Sequence, residues 1–298
     1  MNICSIDISK AFDKTNHYGL LLKLMKRLTP SPLIDLLHYW LCNCWSCVKW
    51  NNCYSHFFKL TFGVRQGSVL SPVLFAVYLN DISVSKSCNH LFRIVLYADD
   101  LLLISPSVHE LQQLYSSCEI ELHKLDMAIN VSKSCCLRIG PRFQNKCVNI
   151  MSHDGSSLPW VTKVRYLGVY LVSSFTFRCC LDHAKKSFFR CANAVMGKVG
   201  RAASEEVVLE LIRSKCMPVL LYATEALCIP KHDLSSLDFV VNRFLMKLFR
   251  TNNIDTINDC VTFFGFTRPS SLINSRLSKF IVKYSALTNV ICEILCKM

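Results

Sequence analysis

Two adjacent carboxylates, Asp99 and Asp100, stand between the apolar runs of Arg93-Ile94-Val95-Leu96-Tyr97-Ala98-Asp99-Asp100-Leu101-Leu102-Leu103-Ile104. Two β-prone segments joined through Tyr97-Ala98-Asp99-Asp100 spell a tight hairpin that presents acids at its tip. Desolvation and mutual repulsion both oppose ionising two acids in such a place. A divalent cation would relieve both costs. Hard oxygen ligands suit Mg²⁺, which commonly takes one or two carboxylates and leaves its other positions to water and phosphates. Phosphoryl transfer with a metal pair calls for another carboxylate from elsewhere in the chain. Asp7 is the best candidate. It belongs to the alternating stretch Ile3-Cys4-Ser5-Ile6-Asp7-Ile8, which reads as a central strand, and Ser9-Lys10-Ala11-Phe12-Asp13-Lys14 after it reads as a strand-to-helix turn.

Further blocks follow in a fixed order. After Ile6-Asp7-Ile8-Ser9-Lys10-Ala11-Phe12-Asp13 come Gly63-Val64-Arg65-Gln66-Gly67-Ser68-Val69-Leu70-Ser71-Pro72, Tyr97-Ala98-Asp99-Asp100, Asn130-Val131-Ser132-Lys133 and Arg165-Tyr166-Leu167-Gly168. This succession resembles the consecutive palm motifs of reverse transcriptases and is most similar to those of non-LTR (LINE-type) retrotransposons. Group II intron proteins share the Gln-Gly and Asp-Asp elements. The run Val73-Leu74-Phe75-Ala76-Val77-Tyr78-Leu79-Asn80-Asp81-Ile82 favours the non-LTR group.

The resemblance implies an RNA-directed DNA polymerase that adds deoxynucleotides to a primer 3′-hydroxyl and releases pyrophosphate. Asp7 and Asp99 would ligate two Mg²⁺ ions (Mn²⁺ is also compatible), with the Ile8 carbonyl as a further ligand and Asp100 beside them as an occasional one. Phe12 would pack under the sugar and exclude a ribose 2′-hydroxyl. Gln66 and Gly67 would meet the incoming nucleotide or template, and Arg65 the template phosphate. Lys133 would give a proton to departing pyrophosphate, and Tyr166, Leu167 and Gly168 would position the primer end. The implied partners are an RNA template, a DNA primer and deoxynucleoside triphosphates. Each residue also has a plainer reading: a turn or cap for Asp7, a core aromatic for Phe12, a solvated lysine for Lys133. Asp13 reads as a cap for the helix that follows.

Departures from the family pattern weigh equally. Only six residues precede Asp7, where these enzymes carry an extensive fingers region with basic residues for the triphosphate. An endonuclease domain and a terminal C-x₂-C-x₄-H-x₄-C knuckle have no counterpart. On this reading the chain is the palm and thumb of a larger polymerase, weak or inactive alone. The rival reading is a catalytically silent remnant that binds nucleic acid through its basic surface. A two-metal nuclease is a third, weakened by the Gln66-Gly67 block, since a nuclease has no nucleotide base to position.

Composition is consistent with a polyanionic partner. The 298 residues carry a formal charge of +13, divided as +7 over residues 1–180 and +6 over 181–298. Neutralising phosphates releases counterions, which gives salt-dependent affinity without sequence preference. Apolar residues make up 51% of the chain, enough for a substantial core, yet Pro72 and the acid pair break the runs that approach membrane-spanning length. The first residues lack the basic and apolar regions of a secretory signal, so an intracellular protein, nuclear or cytoplasmic, is expected. Eighteen cysteines in such a chain read as reduced thiols used as small apolar residues. Cys42, Cys44, Cys47 and Cys53 are crowded like a zinc set but lack paired C-x₂-C spacing.

The elements that must position these residues follow from periodicity. Helices are expected over 17–28, 33–45, 72–80 and 107–128, a hairpin over 47–61 through Asn51-Asn52, and strands over 135–139 and 164–171. This is an α+β pattern, an antiparallel sheet backed by helices, expected to be a palm over 1–175. Helices at 181–200, behind Ser204 with Glu205 and Glu206, and behind Asp233 predict a helical thumb-like region over 176–250. Residues 251–298 have weaker periodicity and stay unassigned.

Overall fold

The computed structural model describes residues 1–84, 93–199, 202–227 and 229–287. The chain divides into two compact units, Met1–Tyr166 with Val172–Phe177, and Leu167–Leu171 with Arg178–Met298.

In the first unit, β1 (Asn2–Asp7) leads through a 3₁₀ turn at Phe12–Lys14 into α1 (His17–Lys26) and α2 (Ser31–Cys42). A hairpin follows, made of β2 (Trp45–Ser46), β3 (Lys49–Trp50), β4 (Cys53–Tyr54) and β5 (Phe58–Lys59), in which β2 pairs with β5 and β3 with β4. Next come α3 (Ser71–Leu79), α4 (Asp81–Val84), β6 (Arg93–Tyr97), β7 (Asp100–Ser105), α5 (Val108–Lys124), β8 (Cys135–Arg138), the ribbon β9 (Ile150–Met151) and β10 (Ser157–Leu158), and β11 (Lys163–Tyr166).

The central sheet is antiparallel, in the order β6-β7-β1-β8. Side chains on a strand alternate between faces, and residues directly opposed across an antiparallel pair share a face. Cys4 faces Leu103 and Cys136, and Ile6 faces Leu101. These residues are buried in one cluster with Leu111, Tyr115 and Leu122 of α5 and Phe75 and Tyr78 of α3. Asp7 and Asp100, one residue out of phase with Ile6 and Leu101, therefore stand on the face turned away from that cluster.

The second unit contains β12 (Val169–Val172) as far as Leu171, then β13 (Arg178–Cys180), α6 (Asp182–Val199), α7 (Glu205–Leu211), α8 (Met217–Leu220), α9 (Lys231–Phe249), α10 (Ile254–Phe263) and α11 (Pro269–Ser285). Phe188, Leu209, Leu220, Leu237, Val241 and Phe244 form its core. A π-helical turn at Ile212–Cys216 links α7 to α8. Pro218 follows it, and a proline that cannot donate to the helix ladder is accommodated by such a widened turn.

Several local expectations are corrected. The second helix, expected over 33–45, runs over Ser31–Cys42, because Pro32 lies in its first turn, where proline is tolerated. The cap of α1 is Asn16, whose side chain accepts from the Tyr18 and Gly19 amides, while Asp13 lies in the 3₁₀ turn. Ser204 occupies the N-cap position of α7 without a side-chain bond, and Asp233 falls inside the first turn of α9 behind Pro230. The stretch 164–171 is two strands, because Leu167 and Gly168 turn the chain at positive φ.

Candidate active site

Asp7 is the last residue of β1 and is paired in register with Asp100, the first residue of β7. Tyr97 faces Asp100 across the β6–β7 hairpin, so Ala98 and Asp99 form its two-residue turn, with Ala98 at φ 52. The hairpin read from the sequence thus carries one acid in the turn and one in the ladder. Burial first, then the charges of Asp99 and Asp7, push the Asp100 carboxyl above its usual range. This is a surplus of negative charge held by hard oxygen donors, a set that fits a divalent cation with open coordination positions. Among the described residues, no three His, Cys, Asp or Glu side chains are gathered closely enough to enclose an ion by themselves.

The Asn130–Ser134 turn is fastened to the end of β1. The Asn130 amide donates to the Asp7 carbonyl at 2.8 Å, and the Asp7 amide donates to Ser134 Oγ at 3.1 Å. Ser134 Oγ in turn donates to the Asn130 carbonyl at 2.8 Å. Ile8 and Ile129 continue the contact as an isolated bridge. Lys133 projects from this turn with Nζ 3.9 Å from Asp7 Oδ2, on a side chain 70% exposed. At that exposure the pair contributes little stability, and its chief effect is to hold a mobile cation beside the acids.

Phe12 is half-buried and stacked on Phe75, with ring centroids 4.5 Å apart and planes at 23°. The Val64 amide donates to the Phe12 carbonyl at 2.8 Å and the Gly63 amide to the Thr15 carbonyl at 2.8 Å, which ties the start of the Gln66 loop to the segment after Asp7. Arg65, Gln66 and Gly67 are exposed on that loop, and a Cβ on Gly67 would meet no atom within 4 Å. Among the described residues none of the three makes a side-chain hydrogen bond or ion pair with the acids. Tyr166 ends β11 with its phenol oxygen buried and unpartnered, and burial followed by the Asp100 charge pushes that phenol up.

Residues 2–171 match the family model described as reverse transcriptase (RNA-dependent DNA polymerase). The chain belongs to the reverse transcriptase family. It is 29% identical over 195 residues to the RNA-directed DNA polymerase from mobile element jockey of Drosophila funebris, covering 62% of this chain and 21% of that protein. It is 28% identical over 204 residues to the probable RNA-directed DNA polymerase from transposon BS of Drosophila melanogaster, covering 64% and 22%. These relatives bear out the non-LTR (LINE-type) resemblance carried by the motifs. Apo telomerase from Candida tropicalis aligns with a TM-score of 0.45 at 15% identity, over 98% of this chain and 52% of that one. The chain spans about a fifth of the length of the curated relatives it matches.

Three residues of this reverse transcriptase chain escaped the motif reading. Gly63 has φ +87, and a Cβ there would lie 2.9 Å from the Asp13 carbonyl oxygen and 3.0 Å from Asp13 Cα. The signal was its place at the head of the Gln66 block. Ser134 follows the Lys133 motif directly, yet its bond to the Asp7 amide is visible only in three dimensions. Tyr222 donates to the Leu167 carbonyl at 3.2 Å and lies under Gly168, where a Cβ would be 3.0 Å from its ring. Cys42, Cys44, Cys47 and Cys53 are free thiols, and Cys44 is buried with Sγ donating to the Trp40 carbonyl at 3.2 Å. No helix among the described residues is long and apolar enough to cross a membrane.

Proposed function

We propose that this chain is the palm and thumb portion of a non-LTR retrotransposon RNA-directed DNA polymerase, the palm over 1–175 and the thumb-like region over 176–250. The observation that carries this reading is the register of Asp7 with Asp100, with Asp99 in the adjoining turn and Lys133 beside Asp7. RNA template, DNA primer and deoxynucleoside triphosphates are the proposed substrates.

Asp7 and Asp99 are the proposed holders of two Mg²⁺ ions, assisted by the Ile8 carbonyl and by Asp100. Bound there, the ions would supply activation of the primer 3′-hydroxyl and neutralisation of charge on the transferred phosphoryl group. Lys133 is the proposed donor of a proton to the departing pyrophosphate, a reading supported by its Nζ lying 3.9 Å from Asp7 Oδ2. Phe12, braced by Phe75, presents a rigid ring against which a 2′-hydroxyl would clash. Arg65, Gln66 and Gly67 remain free on their loop to meet template and nucleotide. Tyr166, Leu167 and Gly168 are the proposed primer-positioning turn, with Tyr222 as its brace.

Primer extension on an annealed RNA template tests the reading. The chain spans about a fifth of the length of the curated relatives, and phosphoryl transfer depends on positioning by groups throughout the enzyme, so this stretch alone should extend weakly. Fusing a fingers segment from a relative to the N-terminus should raise extension, and Asp99→Asn should then lower it roughly a hundredfold or more. Extension unchanged by Asp99→Asn would overturn the assignment. Binding of primer–template without extension in either form would leave the silent binding module as the correct reading.

A further inference from the structure

The β2–β5 hairpin exposes an unusual concentration of rings. Trp45 is 53% exposed, Trp50 77%, Tyr54 64% and Phe57 72%. Large apolar groups gathered on one exposed hairpin mark a contact surface, since burying each of them would be favourable. The register then sorts them. Trp45 is opposed to Lys59, and Lys49 to Tyr54. Between these rungs the ladder continues through the Ser55 amide, which donates to the Val48 carbonyl at 2.9 Å. Residues 47 and 48 there stand opposite residues 55–57, so one extra residue is taken up as a bulge on the return strand. Opposed residues share a face and the bulge keeps that face in step, so Trp45, Lys59, Lys49 and Tyr54 lie on one face while Trp50 lies on the other. Lys49 Nζ sits 5.4 Å from the Tyr54 ring centroid.

One face therefore carries ring, cation, cation, ring. Charge sets the kind of occupant. No Asp or Glu occurs between Asp35 and Asp81, whereas Lys49, Lys59 and Arg65 all do. Flat rings interleaved with lysines and free of acids suit a partner that offers π-faces and phosphates together. We infer that the Trp45–Lys59–Lys49–Tyr54 face of the hairpin is a stacking platform for single-stranded nucleic acid. It takes bases on Trp45 and Tyr54 and phosphates on Lys49 and Lys59, without sequence preference. The platform does not depend on the acid site, so Asp99→Asn should leave it intact.

The test is fluorescence anisotropy on the full chain, using labelled oligo(dT) and oligo(rU) in the presence of excess unlabelled duplex. Trp45→Ala and Tyr54→Ala should each weaken binding roughly 5- to 150-fold, as expected for a lost base–aromatic stack. Trp45→Phe and Tyr54→Phe should retain most of the affinity, and Trp50→Ala, on the opposite face, should retain all of it. Comparable loss with both oligomers supports stacking and phosphate contact, whereas loss confined to oligo(rU) would overturn the sugar-blind platform. The exposed pair Lys49→Gln and Lys59→Gln, which needs no ring removed, should reduce the salt slope by roughly 0.7 per lysine. Unchanged affinity in both the ring and the lysine variants would overturn the proposal and hand the face to a protein partner. Sedimentation velocity covers the remaining case: self-association abolished by Tyr54→Ala, with single-strand binding intact, would make the face a contact between copies and equally overturn it.

Discussion

At the scale of single residues, Asp100 reports the state of the acid site. Its carboxyl is raised by burial and by the charges of Asp99 and Asp7. The folded chain therefore holds the Asp100 proton more tightly than the unfolded chain does. That contribution to stability is fully present below the ordinary aspartate value of 3.8 and is lost as pH rises through the folded-state value. Asp100→Asn removes the group that must ionise against its neighbours. Thermal melts in chelator should show the variant more stable than wild type at neutral pH, with the advantage disappearing below the ordinary aspartate range. Equal stability of the two at neutral pH would mean that the field at Asp100 is screened by solvent.

At the scale of elements, the Gln66 loop is fixed to the Phe12 turn by backbone geometry. Gly63→Ala combines a left-handed φ with a Cβ driven against the Asp13 backbone, which cannot rotate away as a side chain can. Urea denaturation should show a loss of roughly 1–3 kcal/mol. Gly67→Ala shares the positive φ but meets open space, so it should cost less, about 1 kcal/mol. Equal costs would show that the Gly63 contact relaxes freely. Much of this frame was legible in the sequence. Period-two alternation gave β1, the apolar runs on either side of the acid pair gave β6 and β7, and the stripe of Leu111, Leu114, Cys118 and Leu122 gave α5, because burial of one face imposes the helical pattern. The acids and Lys133 were legible because their chemistry demands particular side chains in a particular order. Ser134 and Tyr222 were hidden because their hydroxyls meet backbone groups of Asp7 and Leu167 far away in sequence. In α10 only Ile257 is buried, and in α11 only Pro269 and Ile273, so one or two anchored positions leave too faint a period to read.

At the scale of the whole molecule, charge and the acid face set the expected behaviour. The net charge of +13 is shared by both halves of the sequence, so affinity for primer–template should be dominated by phosphate neutralisation. Equilibrium binding should weaken roughly a thousandfold between low and moderate salt if six or more phosphates are contacted. Affinity flat across that range would remove the electrostatic mode. The acid face carries the opposite sign within this basic chain, and the role proposed for Asp7, Asp99 and Asp100 requires a cation. Calorimetric titration of Mg²⁺ into the full chain, wild type beside Asp7→Asn and Asp99→Asn, addresses that point most directly. The account predicts saturable binding in the wild type that is lost in both variants while their melting curves stay cooperative. The same isotherm in all three proteins would contradict it.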